Sequence, residues 1–210
     1  MKLVIIGAGG HGRVVADCAQ HLNTYQSIVF LDDSFITSKH SGEWPIVGSL
    51  SDIPDHIEKS DFIVAIGNNH LRGKILTQLE NIGVNIVSLI HPAAVISPKT
   101  LIGKGVVICA NAVVNIGCHI GDGCIINTGA TVDHDCDLQS YIHVSPGVNI
   151  AGGVKVANFS WLGIGSTVIE CITIAANTQI GAGAVVTQPT QANSLYLGVP
   201  AKRIRSLKNT

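Results

Sequence analysis

The sequence predicts a small α/β unit followed by a parallel β-helix, and three observations carry that prediction. Sixteen consecutive positions at six-residue intervals, from Ile96 to Val186, are Ile, Leu or Val. The chain opens on a short apolar strand that runs into a glycine loop, VIIGAGGHGRVVADC at residues 4–18. Glycine is abundant, at 23 of 210 residues, whereas aromatics make up 4% and charged residues 13%. A fold with few aromatics and many small and aliphatic residues is built by repetition rather than around one bulky core.

The first ninety residues alternate between strand and helix patterns. Residues 2–6 (KLVII) read as a strand, the glycine loop follows, and a helix is expected over 13–22. A second strand over 27–31 ends in Asp32 and Asp33. A third covers 61–66, with Gly67, Asn68 and Asn69 at its carboxyl end. A helix over 70–82 and a strand over 85–89 complete the set. This alternation predicts a parallel sheet flanked by helices. Ligands in such sheets bind outside the carboxyl ends of the strands. Gly9, Gly10, Asp32, Asp33 and Gly67 all fall there.

Gly7, Gly9 and Gly12 match G-x-G-x-x-G. A dinucleotide fold needs two mononucleotide-binding halves. Here only one half fits before the repeat begins, so the unit reads as a Rossmann-like half-domain over 1–90. Its loop glycines let backbone N–H groups approach a phosphate at a helix N-terminus. Asp32 and Asp33 suit ribose hydroxyls or a base edge. The reading is a nucleotide-sugar pocket, with a ligand-free strand-to-helix turn as the alternative.

The second domain, 91–210, ends in a C-terminal tail and carries a period of six from Ile96 to Val186. Two residues before the aliphatic the side chain is often small, as at Ala112, Cys118, Cys124 and Ala130. Neither helical period fits. Short strands joined by tight bends do, with one aliphatic per side pointing inward. Three sides per turn give about five turns, stacked into one continuous aliphatic column. Val107, Val113 and Val168 are read as apolar residues on the open sides, and such faces mark interfaces.

Several function classes are excluded. The net charge of -1 gives no basic footprint for nucleic acid. No apolar run approaches the length of a membrane span. The N-terminal apolar stretch is too short for a signal peptide, so a cytoplasmic location is expected. The six cysteines contain no C-x-x-C pair and read as small apolar filler.

The candidate chemistry lies on the repeat. His134 sits two residues after inward Val132, near a bend, flanked by Asp133 and Asp135. A neighbouring carboxylate holds one imidazole tautomer and raises its basicity, as a general base near neutral pH requires. An exposed histidine at a solvated corner has the same sequence signature. His119, His134 and His143 lack the close H-x4-H pair of hexapeptide zinc enzymes, so no metal is expected. Lys202, Arg203 and Arg205 suit either phosphate contacts or a solvated basic tail.

Taken together, GAGGHG, FLDD, AIGNN, LIHPAAVISP, NTGATVDHD, HVSPGVNIAGGVKV, LGIGS and GVPAKR resemble the PglD/NeuD family of sugar acyltransferases. Within it the chain is most similar to enzymes that N-acetylate UDP-4-amino sugars in bacillosamine biosynthesis. The resemblance implies a left-handed β-helix, a homotrimer, and acetyl-CoA as cosubstrate. It implies His134 as catalytic base and Asp135 as the acid that raises its basicity, where the family member has Glu. It places His143, Ile164 and Ala182 against acetyl-CoA, and Gly9, Gly10, His11, Asp32, Asp33 and Gly67 in the UDP-sugar site. Gly9 stands where that relative has Ser. The reaction implied is direct acetyl transfer to a 4-amino group. Acetylation of a GDP-linked amino sugar, O-acetylation of sialic acid, and nucleotide-sugar binding without catalysis remain the alternatives.

Overall fold

A computed structural model of the chain describes residues 1–207; the end of the predicted tail, 208–210, lies outside the described residues. The N-terminal sheet has six strands. In chain order the elements are β1 (Lys2–Ile6), α1 (Gly10–His21), β2 (Ser27–Leu31), β3 (His40–Ser41), β4 (Trp44–Gly48), β5 (Ser60–Val64), α2 (Asn69–Ile82) and β6 (Asn85–Ile86). The sheet order is β3-β4-β2-β1-β5-β6, parallel except for the short edge strand β3. β1 at its centre is buried on both sides, which suits its unbroken apolar run. The helix α1 begins three residues before the predicted start, inside the glycine loop. The β3–β4 hairpin was not read from the sequence.

The remainder is a three-sided prism of two-residue strands. The first face runs from Leu89–Ile90 to Gln179–Ile180 and continues into Ser194–Leu197 and the antiparallel Lys202–Ser206. The second runs from Val95–Ile96 to Val185–Val186, and the third from Leu101–Ile102 to Thr173–Ile174. Each strand pairs in parallel with the strand eighteen residues on, as Ile108 with Ile126 and Ile126 with Val144. The aliphatic row points inward: Ile108, Ile120, Ile126, Val132, Leu138 and Val144 are fully buried. Burying one such side chain contributes about 1.5–3 kcal/mol, so the column is the prism's main source of stability. Cys118, Cys124 and Cys136 fill the small inward positions as free, buried thiols.

The row starts one step earlier than the sequence reading placed it. Leu89–Ile90 pairs with Val107–Ile108 in the prism, so only Asn85–Ile86 remains of the strand expected over 85–89. Two of the three valines assigned to open sides are elsewhere. Val168 belongs to the inward column, and Val107 is buried against the N-terminal unit; Val113 alone is on an uncovered face. Exposed apolar side chains do occur on the second and third faces, at Val95 and Leu101, and at Ile116 on the corner between them.

Corner geometry is also periodic. Fourteen residues at six-residue intervals, from Gly105 to Gly183, have φ between +51° and +77°. Six are not glycine, Asp135, Tyr141 and Phe159 among them. Left-handed backbone at bulky residues costs energy, so those positions are held by what their side chains contact. Phe159 stacks between His70 of α2 and Tyr141, with ring separations of 4.5 and 5.1 Å. This stack and the first turn of α2 dock the N-terminal unit on the third-to-first corner.

Candidate active site

The crevice at the carboxyl ends of β1 and β5 is shaped by glycines of two kinds. Gly7 has φ +104°, and a Cβ on Gly12 would strike the Gly7 carbonyl, so both serve the tight strand-to-helix turn. Gly9, Gly10 and Gly67 are different: a Cβ on any of them meets nothing within 4 Å. These three line open space, where bare backbone can approach a ligand. No side chain caps the N-terminus of α1.

Asp32 is turned to a structural task. Its Oδ2 accepts from the Ala8 N–H at 2.7 Å and its Oδ1 from the Ser34 N–H at 2.8 Å. Burial pushes its carboxyl up, but the Ser34 and Ala8 donors outweigh this and hold it below the usual carboxylate value. Asp33 accepts from the Leu50 N–H at 3.3 Å. Both acids lie beside the crevice, yet Asp32 spends both oxygens and Asp33 one on backbone N–H groups rather than offering the carboxylate whole to a ribose.

His11, on the first turn of α1, faces His143 on the prism's first face, with ring centroids 6.2 Å apart. His143 in turn stacks on Trp161, 5.4 Å away and within 4° of parallel. The Trp161 indole N–H donates to Ser145 Oγ at 2.8 Å, which fixes the ring. Burial, with the Arg72 charge adding to it, lowers the His11 pKa to about 4. Burial, Arg72 and His11 together lower that of His143 to about 3. Both imidazoles are therefore neutral at physiological pH. Among the described residues, His11 Nε2 and His143 Nδ1 are buried without a hydrogen-bond partner.

His143, Ile164 and Ala182, the three residues carried over as acetyl-CoA contacts, line one groove of about 390 Å³ together with Trp161, Gly163 and Gly181. It runs along the first face to the corner it shares with the second. A wider cavity of about 630 Å³ lies elsewhere, between α2 and the turn at Leu50–His56, and contains none of the candidate residues. Lys202, Arg203 and Arg205 are exposed on the last strand, where Arg203 donates to Ser194 and Ser206.

His134 is at a different corner, between the second and third faces. Its Nδ1 lies 2.9 Å from Asp135 Oδ2. Asp133 accepts from the His134 backbone N–H at 2.8 Å and from Asn115 at 2.7 Å. The Asp135 hydrogen bond and the Asp133 charge raise the His134 pKa above its ordinary value, although the ring is exposed. Asp135 holds a left-handed backbone, φ +58°, which turns its carboxylate back onto the imidazole. With Nδ1 donating to Asp135, Nε2 is free to accept a proton.

Gly152, which the sequence reading did not single out, makes room for that ring. A Cβ there would lie 2.5 Å from His134 Nε2 and 2.6 Å from Cε1. The signal was available: Gly152 follows His134 by the eighteen-residue coil repeat. His119 does not join this group but pairs with Asp137 at 2.9 Å on the third face. Burial pushes the Cys124 and Cys136 thiols up to about 12, so neither is poised as a nucleophile. Cys171, by contrast, is exposed at its corner rather than buried filler.

The structure thus gathers the crevice glycines, His11, His143, Ile164 and Ala182 on one side of the chain. It sets His134 and Asp135 apart from them.

Comparison with known proteins gives the family. The profile of the PglD N-terminal domain matches residues 2–79. A Bacillus subtilis protein, UDP-N-acetylbacillosamine N-acetyltransferase, is 33% identical over 115 residues, 52% of this chain and 51% of that protein. The chain thus spans about half the length of that curated relative. The acetyltransferase domain of PglB from Neisseria gonorrhoeae, a structure also solved with acetyl coenzyme A, is 40% identical over 97% of this chain, with a TM-score of 0.94. That match covers 99% of the solved domain. PerB from Caulobacter crescentus, solved with CoA and GDP-perosamine, is 39% identical over 98% of both chains, with a TM-score of 0.90. With such likeness along nearly its whole length, and the α/β half-domain and left-handed β-helix in the same order, the chain belongs to the PglD/NeuD-like family of hexapeptide-repeat sugar acyltransferases.

Proposed function

We propose that this chain transfers the acetyl group of acetyl-CoA to the 4-amino group of a UDP-linked 4-amino-dideoxy sugar. The observation that carries this reading is the pairing of a donor groove with an activated imidazole. One groove holds His143, Ile164 and Ala182, and a separate corner presents His134 with its Nδ1 engaged by Asp135 and its Nε2 free. The N-terminal unit supplies the nucleotide-sugar crevice, and the prism that begins at Leu89–Ile90 supplies the acyl donor groove and the base.

Within one chain the base and the groove are on different corners of the prism. They form one site when the second-to-third corner of one copy meets the first-to-second corner of the next, as in a closed homotrimer. Exposed Val95, Leu101 and Ile116 supply apolar surface beside the corner that carries His134. The homotrimer and a cytoplasmic location are parts of this reading. Among the described residues, no helix is long and apolar enough to cross a membrane.

The chemistry is a direct transfer. The neutral sugar amine attacks the thioester carbonyl carbon. His134 Nε2 takes the amine proton as the C–N bond forms. The tetrahedral oxyanion collapses, the C–S bond breaks, and the imidazolium returns the proton to the departing thiolate. Asp135 stabilises the imidazolium and keeps its tautomer. No acyl-enzyme is needed, in keeping with the neutral buried thiols.

A second reading, a GDP-linked amino sugar, has support from the 39% identity to the perosamine enzyme over 98% of the chain. A panel of UDP- and GDP-amino sugars with acetyl-CoA, followed by thiol release, decides between the two. In the same assay His134→Ala is expected to lower turnover by about 10²–10⁴-fold with acetyl-CoA binding intact. Unchanged turnover would remove His134 as the base. A wild-type protein that acetylates no amino sugar would leave a binding protein.

A further inference from the structure

Arg72, on the first turn of α2, is fully buried. Among the described residues no carboxylate lies within ion-pair distance of it. Its five N–H groups make five hydrogen bonds, all to neutral oxygens: Gly123 O at 2.6 Å, Ile66 O at 2.8 Å, Gly67 O at 3.2 Å, Asn69 Oδ1 at 2.7 Å and Ile142 O at 3.4 Å. A buried charge without a counter-ion is expensive. A methionine or leucine would fill such a seam without that cost, so the fork itself must do something the packing does not.

What it holds is specific. The Ile66 and Gly67 carbonyls belong to two successive peptides, 66–67 and 67–68. In a trans peptide the C=O and N–H point in opposite directions. Drawing both carbonyls toward one guanidinium turns the Gly67 and Asn68 N–H groups away from it, side by side. Neither N–H donates to another group among the described residues. Adjacent N–H groups turned the same way form a concavity that favours anionic or electron-rich oxygen. This pair is at the carboxyl end of β5, where a Cβ on Gly67 would meet nothing. The other bonds of Arg72 reach Gly123 and Ile142, on successive coils of the third-to-first corner. One side chain therefore sets both the orientation of this loop and its position against the prism that carries His143.

We infer that Arg72 is a positioning residue for nucleotide-sugar recognition, which orients the Gly67 and Asn68 N–H groups toward the nucleoside diphosphate sugar without touching it. This rests on the nucleotide-sugar reading above. All of its N–H groups are already engaged, so Arg72 acts only through the peptides it holds.

The test compares wild type with Arg72→Lys, which keeps the charge and loses the fork. Calorimetric titrations use UDP, GDP and acetyl-CoA. The expected result is an affinity for the preferred nucleotide at least tenfold weaker, with acetyl-CoA affinity within twofold. In ¹⁵N-labelled wild type, the Gly67 and Asn68 amide resonances should shift on adding that nucleotide. Nucleotide affinity within twofold of wild type overturns the inference. So does equal weakening toward acetyl-CoA, which marks general loosening. If Arg72→Lys does not fold, the amide resonances decide, and unmoved signals overturn it. A wild-type protein that binds neither nucleotide overturns the nucleotide-sugar reading and this inference with it; normal wild-type binding with an unaffected Arg72→Lys overturns the inference alone.

Discussion

Replacing Gly152 by alanine adds one methyl group where the His134 ring lies. The new Cβ would sit 2.5 Å from Nε2 and 2.6 Å from Cε1, well inside van der Waals contact. The prism backbone is locked by parallel pairing on both sides, with the Cys171 N–H donating to the Gly152 carbonyl and the Gly153 N–H to the His134 carbonyl. The exposed imidazole is the softer partner and must rotate away. Rotation breaks its 2.9 Å bond to Asp135 and moves Nε2 off the position it holds. An oriented general base contributes about 10²–10⁴-fold. A displaced but present imidazole should forfeit about 10²-fold of that, about 2.7 kcal/mol of barrier. Stability should move the other way. Gly152 is outside the left-handed region, so alanine is conformationally acceptable there and restricts the unfolded chain, a gain of about 0.4–1 kcal/mol. Thiol-release kinetics and a thermal melt on Gly152→Ala read both quantities. The same substitution in a His134→Ala background should cost nothing further. Wild-type turnover in Gly152→Ala, or an equal loss in both backgrounds, would refute the idea that this glycine exists to admit the ring.

Two further outcomes follow from the titrating groups. Asp135→Asn removes the main cause of the raised His134 pKa, and asparagine tolerates the left-handed backbone at this corner. The acid limb of the pH–rate profile should shift to lower pH and the plateau should fall; a limb that stays in place would detach Asp135 from the base. The second outcome concerns His11 and His143, neutral in the fold with pKa values of about 4 and 3 against 6.5 unfolded. Below pH 6.5 the unfolded chain binds the extra protons, so stability is lost as pH falls from there toward about 4 for His11 and about 3 for His143. The His11 contribution corresponds to about 3 kcal/mol over that window. His11→Gln should flatten the dependence of the melting temperature on pH between 6.5 and 4, and an unchanged slope would contradict the burial argument.

The prism was legible because its signal is local and redundant: a single aliphatic row, repeated without a break, sets strand spacing, inward face and coil length together. Its start was misplaced by one step because Leu89, half of the first rung Leu89–Ile90, was absorbed into a strand pattern of the preceding unit. The corner geometry was only half visible. Glycine and asparagine mark left-handed positions, but Asp135, Tyr141, Phe159 and Cys171 adopt the same backbone without advertising it. Val168 was misread because it was counted on an open side while already belonging to the inward row. Val107 was misread for a different reason: what covers it comes from the N-terminal unit, distant in sequence. The same holds for the approach of His11 to His143 and for the Arg72 bonds to Gly123 and Ile142, which arise only when the two units dock. The tight turn of the glycine loop is local and legible, since Gly7 and Gly12 admit no side chain there. The acids after β2 were harder, since an Asp that binds a ribose and an Asp that binds the Ala8 N–H look alike in sequence.

The central claim is that His134 of one copy serves the donor groove of the next. It is tested most directly by co-expressing two inactive variants, His134→Ala, which keeps its groove, and Ala182→Trp, which blocks the groove and keeps its base. If the site is shared between copies in a closed ring, random mixing pairs an intact base with an intact groove at about a quarter of the sites, and about a quarter of wild-type activity returns. Mixed assemblies that stay as inactive as either variant alone would contradict the account.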